Sequence, residues 1–384
     1  VPVTTSAGLW PAVSELPAID HHAHLLVRPD VPVGLAEVLT ESDDPVQIAA
    51  VRDHPAYRRA LRDLGGVLAG GRGADGALTE DLLAVARRDD FGAHVARLLA
   101  PCHLEEMFVD DGFRPAGVIA LAEQAALAGC PVRRIVRIET EAEAAAADGP
   151  PLAECRARLQ QAVAAAVGDG AIALKTIAAY RGGLDLPMPS PAAAGRAYDA
   201  WRRAGSRRLQ DAPLVSLFLG DALEAAGEGV PLQVHTGIGD RDQMLTGADP
   251  ALLQPHLDRG VLAGTPVVLL HCYPFVRNAG YLAAIYPNVH LDLSLAVTLV
   301  PHRGPELVAE ALELAPPTKL LFATDASRLP EMFTLGSRWW RESLARALDA
   351  LVDGGFTDEA GALRWARLIL ADNARRLYRL GGAG

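Results

Sequence analysis

Lysine is almost missing from this chain. Of its 36 basic residues only Lys175 and Lys319 are lysine, and every other one is arginine. Arginine serves as well on most solvated surfaces but cannot be deprotonated, so a surviving lysine asks for a reason. Cysteine is scarce too: Cys102, Cys130, Cys155 and Cys272 show no C-x-x-C spacing, which excludes a zinc ribbon and a thioredoxin-type site and reads as free thiols in a reducing cytoplasm. No apolar run approaches the roughly 18 residues of a membrane helix. Val1 to Trp10 lacks the charged-then-apolar layout of a secretory leader, so a cytoplasmic protein without membrane contact is expected. Positive charge is in deficit as well, and a formal net charge of -11 argues against a nucleic-acid surface.

What is present suits a large globular core. The chain has 384 residues, 50% of them apolar and 22% charged, which leaves no room for extensive disorder and suits one elaborated domain. Short apolar runs closed by polar or turn residues predict eight strands, over 17–22, 103–110, 132–139, 171–177, 232–236, 266–272, 288–294 and 319–325. Between most of them lie segments of helical spacing, at 116–129, 142–167, 221–227, 276–286, 306–314 and 339–352. Strand and helix alternating eight times predict an α/β fold, a (β/α)8 TIM barrel, with residues 1–384 as a single barrel. The first two strands are separated by a long stretch in which 45–64 and 79–99 read as helices divided by the glycine-rich 65–76. Residues 30–100 are therefore expected to form a helical insertion between strands 1 and 2.

Barrel active sites sit at the carboxyl ends of the strands, and polar residues collect there. The first strand ends in Asp20-His21-His22-Ala23-His24. Side chains alternate faces along a strand, so Asp20, His22 and His24 share one face, where two imidazoles can grip a metal. His21 then faces the helices. Strand five ends in His235, a plausible third imidazole, with Gln233 inward beside it, and strand six ends in His271, whose ordinary pKa near 6.5 suits a general acid or base. His290, Asp292 and Ser294 on strand seven read as supporting polar groups. Strand eight closes on Asp325, a carboxylate that is costly there unless paired, hydrated or bound to metal.

Lys175 stands at the end of strand four. Two roles need a lysine at such a place. One is capture of carbon dioxide as a carbamate bridging two metals, and the other is a neutral amine in a desolvated pocket. Lys319 begins its strand and lies at the opposite rim.

The order His-x-His, Lys, His, His, Asp along strands one, four, five, six and eight resembles the amidohydrolase superfamily of metal-dependent barrels, from Asp20 to the closing Asp372–Tyr378 segment. The finer resemblance is to the amidohydrolase-related branch that includes the amino-terminal domain of FluG and nodulin-like proteins. It rests on Lys175–Leu184, Val109–Gly112 and Arg137–Glu141. The resemblance implies metal ligands His22, His24, His235 and Asp325, with His271 near the water that the metal activates. Some relatives carry a fused glutamine-synthetase-like module, which hints at γ-glutamyl or related amide substrates; these 384 residues do not include one. Arg181, just past Lys175, is the candidate clamp for a substrate carboxylate, with Tyr180 and Glu139 as further substrate-binding candidates.

The expectation is a metal-dependent hydrolase that cleaves an amide in a small, carboxylate-bearing substrate. A divalent ion, zinc first, with manganese, iron or nickel as rivals, would polarise the carbonyl and supply hydroxide, while Asp325, His271 and Lys175 do the catalytic work. Two alternatives stand. The same ligand set serves decarboxylases and isomerases of the superfamily, and a non-catalytic metal- or ligand-binding barrel is the other. A helical shell of this kind also suits a homo-oligomer.

Overall fold

The structure, a computed structural model, describes residues 8–69, 78–205 and 208–381. Its eight strands are β1 (Ala18–His24), β2 (Leu104–Asp110), β3 (Val132–Arg137), β4 (Ala173–Thr176), β5 (Leu232–His235), β6 (Val267–Leu270), β7 (Val289–Asp292) and β8 (Leu320–Leu321). They form one eight-stranded sheet in the order β1 to β8, which is the (β/α)8 TIM barrel. Every residue of β1 is buried, as are all those of β4 to β8, which is why these strands read as apolar runs with polar residues only near their ends.

The chain divides into two compact units. The first comprises Val1–Val109, Phe113–Val132 and Leu293–Gly384, and contains the seam where the last strand meets the first. There His21 N donates to Phe322 O (3.4 Å), Asp325 N to His22 O (3.0 Å) and His24 N to Ala326 O (2.8 Å). The ladder of β8 is thus only two residues long, shorter than the 319–325 expected, yet the chain beyond it still tracks β1. The second unit comprises Asp110–Gly112 and Arg133–Asp292. Its strands pair in parallel, and the register aligns Arg137 with Lys175 and Lys175 with Gln233.

Several predicted boundaries move for identifiable reasons. The helix expected over 142–167 is two, Ile138–Ala145 and Leu152–Gly168, because Gly149 takes φ +69° and Pro150-Pro151 cannot continue the first. β3 correspondingly stops at Arg137, which puts Glu139 in a first helical turn and not on the strand. The segment 221–227 is the end of a longer helix, Ala212–Ala226, capped by Asp211, whose carboxylate accepts from Leu214 N at 3.0 Å. Between β1 and β2 run Pro45–Ala50, Pro55–Leu68, Glu80–Asp89 and Phe91–Leu99, the breaks falling at Pro55 and at Asp90, which caps the last. Residues 65–68 of the expected glycine-rich divider lie inside a helix, and its residues 70–76 lie outside the described residues. Among the described residues no helix is long and apolar enough to cross a membrane.

The 24-residue helix Pro330–Asp353 packs Trp339, Trp340 and Arg341 fully inside the first unit. Arg341 donates to Val13 O (3.1 Å), Leu16 O (2.6 Å), Cys102 O (2.8 Å) and Ser337 Oγ (3.2 Å), and burial lowers its pKa to about 10. One guanidinium therefore satisfies three main-chain carbonyls that no ladder reaches. Arg341→Met should cost about 1 to 3 kcal/mol, since it leaves Leu16 O without its donor and takes one donor each from Val13 O and Cys102 O. A denaturant midpoint equal to that of the unaltered protein would show that these carbonyls find other donors.

Candidate metal centre

In the first unit, strand alternation divides the opening pentad as its sequence suggests. His21 turns outward, its Nδ1 3.1 Å from Tyr378 Oη and its ring stacked on the tyrosine at 6.0 Å. His22 and His24 turn the other way, their rings 5.1 Å apart and edge-on. Asp325 meets them: its Oδ1 lies 3.2 Å from His22 Nε2 and 3.2 Å from His24 Nε2. One donor atom from each of the three falls within 4.8 Å of the others. Donors on an ion with bonds of roughly 2.1 Å and tetrahedral angles stand about 3.4 Å apart, so the spacing suits a shared divalent cation. Phe113 packs edge-on against His24 at 5.6 Å and covers its apolar side.

Asp325 is held there by Asp20. Asp20 Oδ1 accepts from Thr324 N at 3.0 Å and Oδ2 from Thr324 Oγ1 at 2.5 Å, while Thr324 Oγ1 accepts from Ala326 N at 3.1 Å. This tie fixes the chain on both sides of Asp325, whose φ of +51° is uncommon for a non-glycine residue. Complete burial pushes the Asp20 carboxyl up to about 7, in spite of the Thr324 hydrogen bonds that favour its ionised form.

The second unit carries the other strand-end residues. Lys175 is buried at the end of β4 with Nζ 3.3 Å from Asp110 Oδ2. The same oxygen accepts from Arg137 Nε (3.0 Å) and Nη2 (2.5 Å), and Oδ1 accepts from Gly112 N (2.9 Å). This neighbourhood suits an ammonium. A carbamate would set a second anion against Asp110, a repulsion of about 4 kcal/mol at 4 Å and an effective dielectric of 20. His235 donates from Nε2 to Ile238 O at 3.0 Å, which leaves Nδ1 as the nitrogen that could act as a ligand. Its ring stands 4.5 Å from Tyr180 and 4.6 Å from His271. Asp292 supports His271 from behind, with Oδ1 accepting its backbone N–H at 2.7 Å. The backbone turns sharply at this point, with φ +68° at His271 and +63° at Cys272.

Two substrate-binding candidates have partners of their own in the structure. Glu139 Oε1 accepts from Thr176 Oγ1 (2.5 Å) and Ile177 N (3.0 Å), so this buried carboxyl, its pKa raised by desolvation, fastens the end of β4. Arg181 is not placed as an open clamp: Nη1 pairs with Glu143 Oε1 at 2.9 Å and donates to Leu209 O at 3.2 Å. It ties a loop to the helix Ile138–Ala145. Conversely, Asp110 and Arg137 were not singled out as site residues. The rule that found the histidines would have found Asp110, a carboxylate closing the apolar run Met107-Phe108-Val109.

Comparison with known proteins agrees with this geometry. Residues 19–380 match the protein family described as amidohydrolase. FluG of Emericella nidulans is 36% identical over 237 residues, 57% of this chain, and the matched part is 27% of that relative's length. A protein provisionally named a metal-dependent hydrolase, from Lactobacillus casei ATCC 334, superposes with a TM-score of 0.85 at 32% identity over 97% of both chains. The uronate isomerase of Thermotoga maritima shares the fold, with a TM-score of 0.65 at 14% identity over 96% of both chains.

The Asp20 tie yields a direct test. Asp20→Ala releases Asp325 from its place beside the imidazoles and should weaken divalent-metal affinity about 10- to 100-fold, read by competition with a chromophoric chelator. Asp20→Asn, which can accept from Thr324 N and donate to its hydroxyl, should recover most of it. Equal affinities in Asp20→Ala and the unaltered protein would mean that the turn holds itself.

Proposed function

Because the chain belongs to the amidohydrolase family, we propose that it is a metal-dependent enzyme that hydrolyses an amide, of γ-glutamyl or similar type, in a small substrate bearing a carboxylate. The observation that carries the proposal is the pair of imidazoles converging at 3.2 Å on one oxygen of Asp325. A divalent ion there, zinc in our reading, supplies Lewis acidity toward a carbonyl and lowers the pKa of water.

The chain's own residues supply the rest. His22 and His24 present Nε2, and Asp325 presents Oδ1 while its second oxygen can take up a proton. His235 is proposed as a further imidazole ligand through Nδ1, since Nε2 faces a carbonyl. His271, seated by Asp292, is proposed to pass the proton to the leaving amine. Lys175, as an ammonium paired with Asp110, holds positive charge in place for the reacting groups and needs no carbon dioxide.

Asp325→Asn should lower turnover at least about 100-fold on a panel of γ-glutamyl amides and N-acyl amino acids, with the fold intact by circular dichroism. Undiminished turnover in that variant would remove the proton role. Activity should also be indifferent to added bicarbonate, and activation by bicarbonate would restore the carbamate at Lys175.

A second reading has a specific support. An ammonium at Lys175 leaves no bridging carbamate for a second ion, and single-ion members of this superfamily include decarboxylases and isomerases. The uronate isomerase of Thermotoga maritima has the same fold. Turnover of uronates or aromatic acids with none of the amides would select that reading.

A further inference from the structure

Arg328 differs from the other well-packed arginines of the first unit in what its guanidinium meets. Arg341 is surrounded by four acceptors, and Arg87 reaches Glu331 Oε1 at 3.3 Å and Val33 O at 3.4 Å. Arg328 donates from Nη2 to Glu37 O at 3.2 Å, and its Nε is buried with no hydrogen-bond partner among the described residues. Glu37 and Glu41 lie near enough to favour its charge, yet neither comes within ion-pair distance, and Glu37 Oε1 is taken up by Gly34 N at 2.9 Å. Burial works the other way and lowers its pKa. A half-buried cation without a carboxylate partner is a costly feature for a fold to keep unless something else neutralises it.

Its placement says where. Arg328 follows Asp325 by three residues, a span of at most about 11 Å, and its backbone is bridged in parallel to Leu26, two residues beyond His24. Arg328 N donates to Leu25 O at 3.1 Å, and Val27 N donates to Arg328 O at 2.9 Å. The residue is thus clamped onto the same two chain segments that deliver His22, His24 and Asp325. Its φ is +64°, a conformation that a long side chain adopts at a cost and that tends to persist at ligand-binding positions.

We propose that Arg328 is the anion-recognition residue of this site, its guanidinium leaving Glu37 O to take a substrate carboxylate while the scissile bond lies toward Asp325. The proposal deepens the hydrolase reading and rests on it for the word substrate. Among the described residues Arg181 also has a buried Nε without a partner, but its Nη1 is held by the Glu143 carboxylate and Leu209 O, whereas Arg328 has no carboxylate at ion-pair distance. An anion that draws Arg328 into a bidentate pair also gives its Nε the partner it lacks.

The test is titration of glutarate, with the uncharged glutaramide as control, into the full-length metal-loaded protein by calorimetry, using the unaltered protein, Arg328→Met and Arg328→Lys. Glutarate should bind the unaltered protein more tightly than glutaramide. Arg328→Met should weaken glutarate about 10- to 100-fold, and Arg328→Lys should restore part of the loss without the bidentate component. Metal stoichiometry, equal in all three, reports that the neighbouring ligands are undisturbed. Glutarate binding that is absent in the unaltered protein, or equal in Arg328→Met, overturns the proposal. If the glutarate difference holds while every amide tested goes uncleaved, the hydrolase reading fails and the anion site stands.

Discussion

The interaction on which the first unit's chemistry depends is the pair of hydrogen bonds that Thr324 donates to Asp20. It joins the first strand to the end of the last at one fixed offset. That offset sets Asp325 Oδ1 equidistant from two imidazoles. Three candidate ligands at residues 22, 24 and 325 of the sequence can converge only if the seam between β1 and β8 is held in register, and three main-chain bonds plus this side-chain tie hold it. The full burial of the tie lets the Asp20 carboxyl rise to about 7 and still bind a hydroxyl and an amide. Arg328, next along the same segment, inherits the registration through its bridge to Leu26.

Charge placement in the second unit follows a different logic. Asp110 takes Arg137 and Lys175 on one oxygen, and the parallel register puts those two cations side by side on β3 and β4. Two like charges on adjacent strands repel unless an anion stands between them, which is what Asp110 does. This accounts for a lysine where arginine is nearly universal: Arg137 already brings a planar fork to the carboxylate, and a compact ammonium fits the remaining side. The scarcity of lysine was therefore an informative signal, since it picks out the residue that pairs with Asp110.

Much of this was legible before any coordinates. Period-2 alternation separates His21 from His22 and His24, and the rule that barrel chemistry gathers at strand ends selects Lys175, His235, His271 and Asp325. Local rules are silent where a tertiary partner decides. Glu139 reads as a strand-end carboxylate, yet the strand stops at Arg137 and the carboxyl turns to fasten Thr176 and Ile177. Arg181 sits one residue past a promising tyrosine, but whether a guanidinium is open or tied depends on Glu143, 38 positions earlier in the chain, which no local pattern reveals. Arg328 escaped for the same reason, since one arginine among many gains meaning only from the acceptors missing around it.

The central claim is that one divalent ion is held by His22, His24 and Asp325. Elemental analysis of the protein as purified, beside His22→Ala and His24→Ala variants, tests it most directly. The account predicts about one ion per chain in the unaltered protein and little in either variant, since each removes a donor from a first coordination shell of few ligands. Two ions per chain, or one ion retained by both variants, would contradict it.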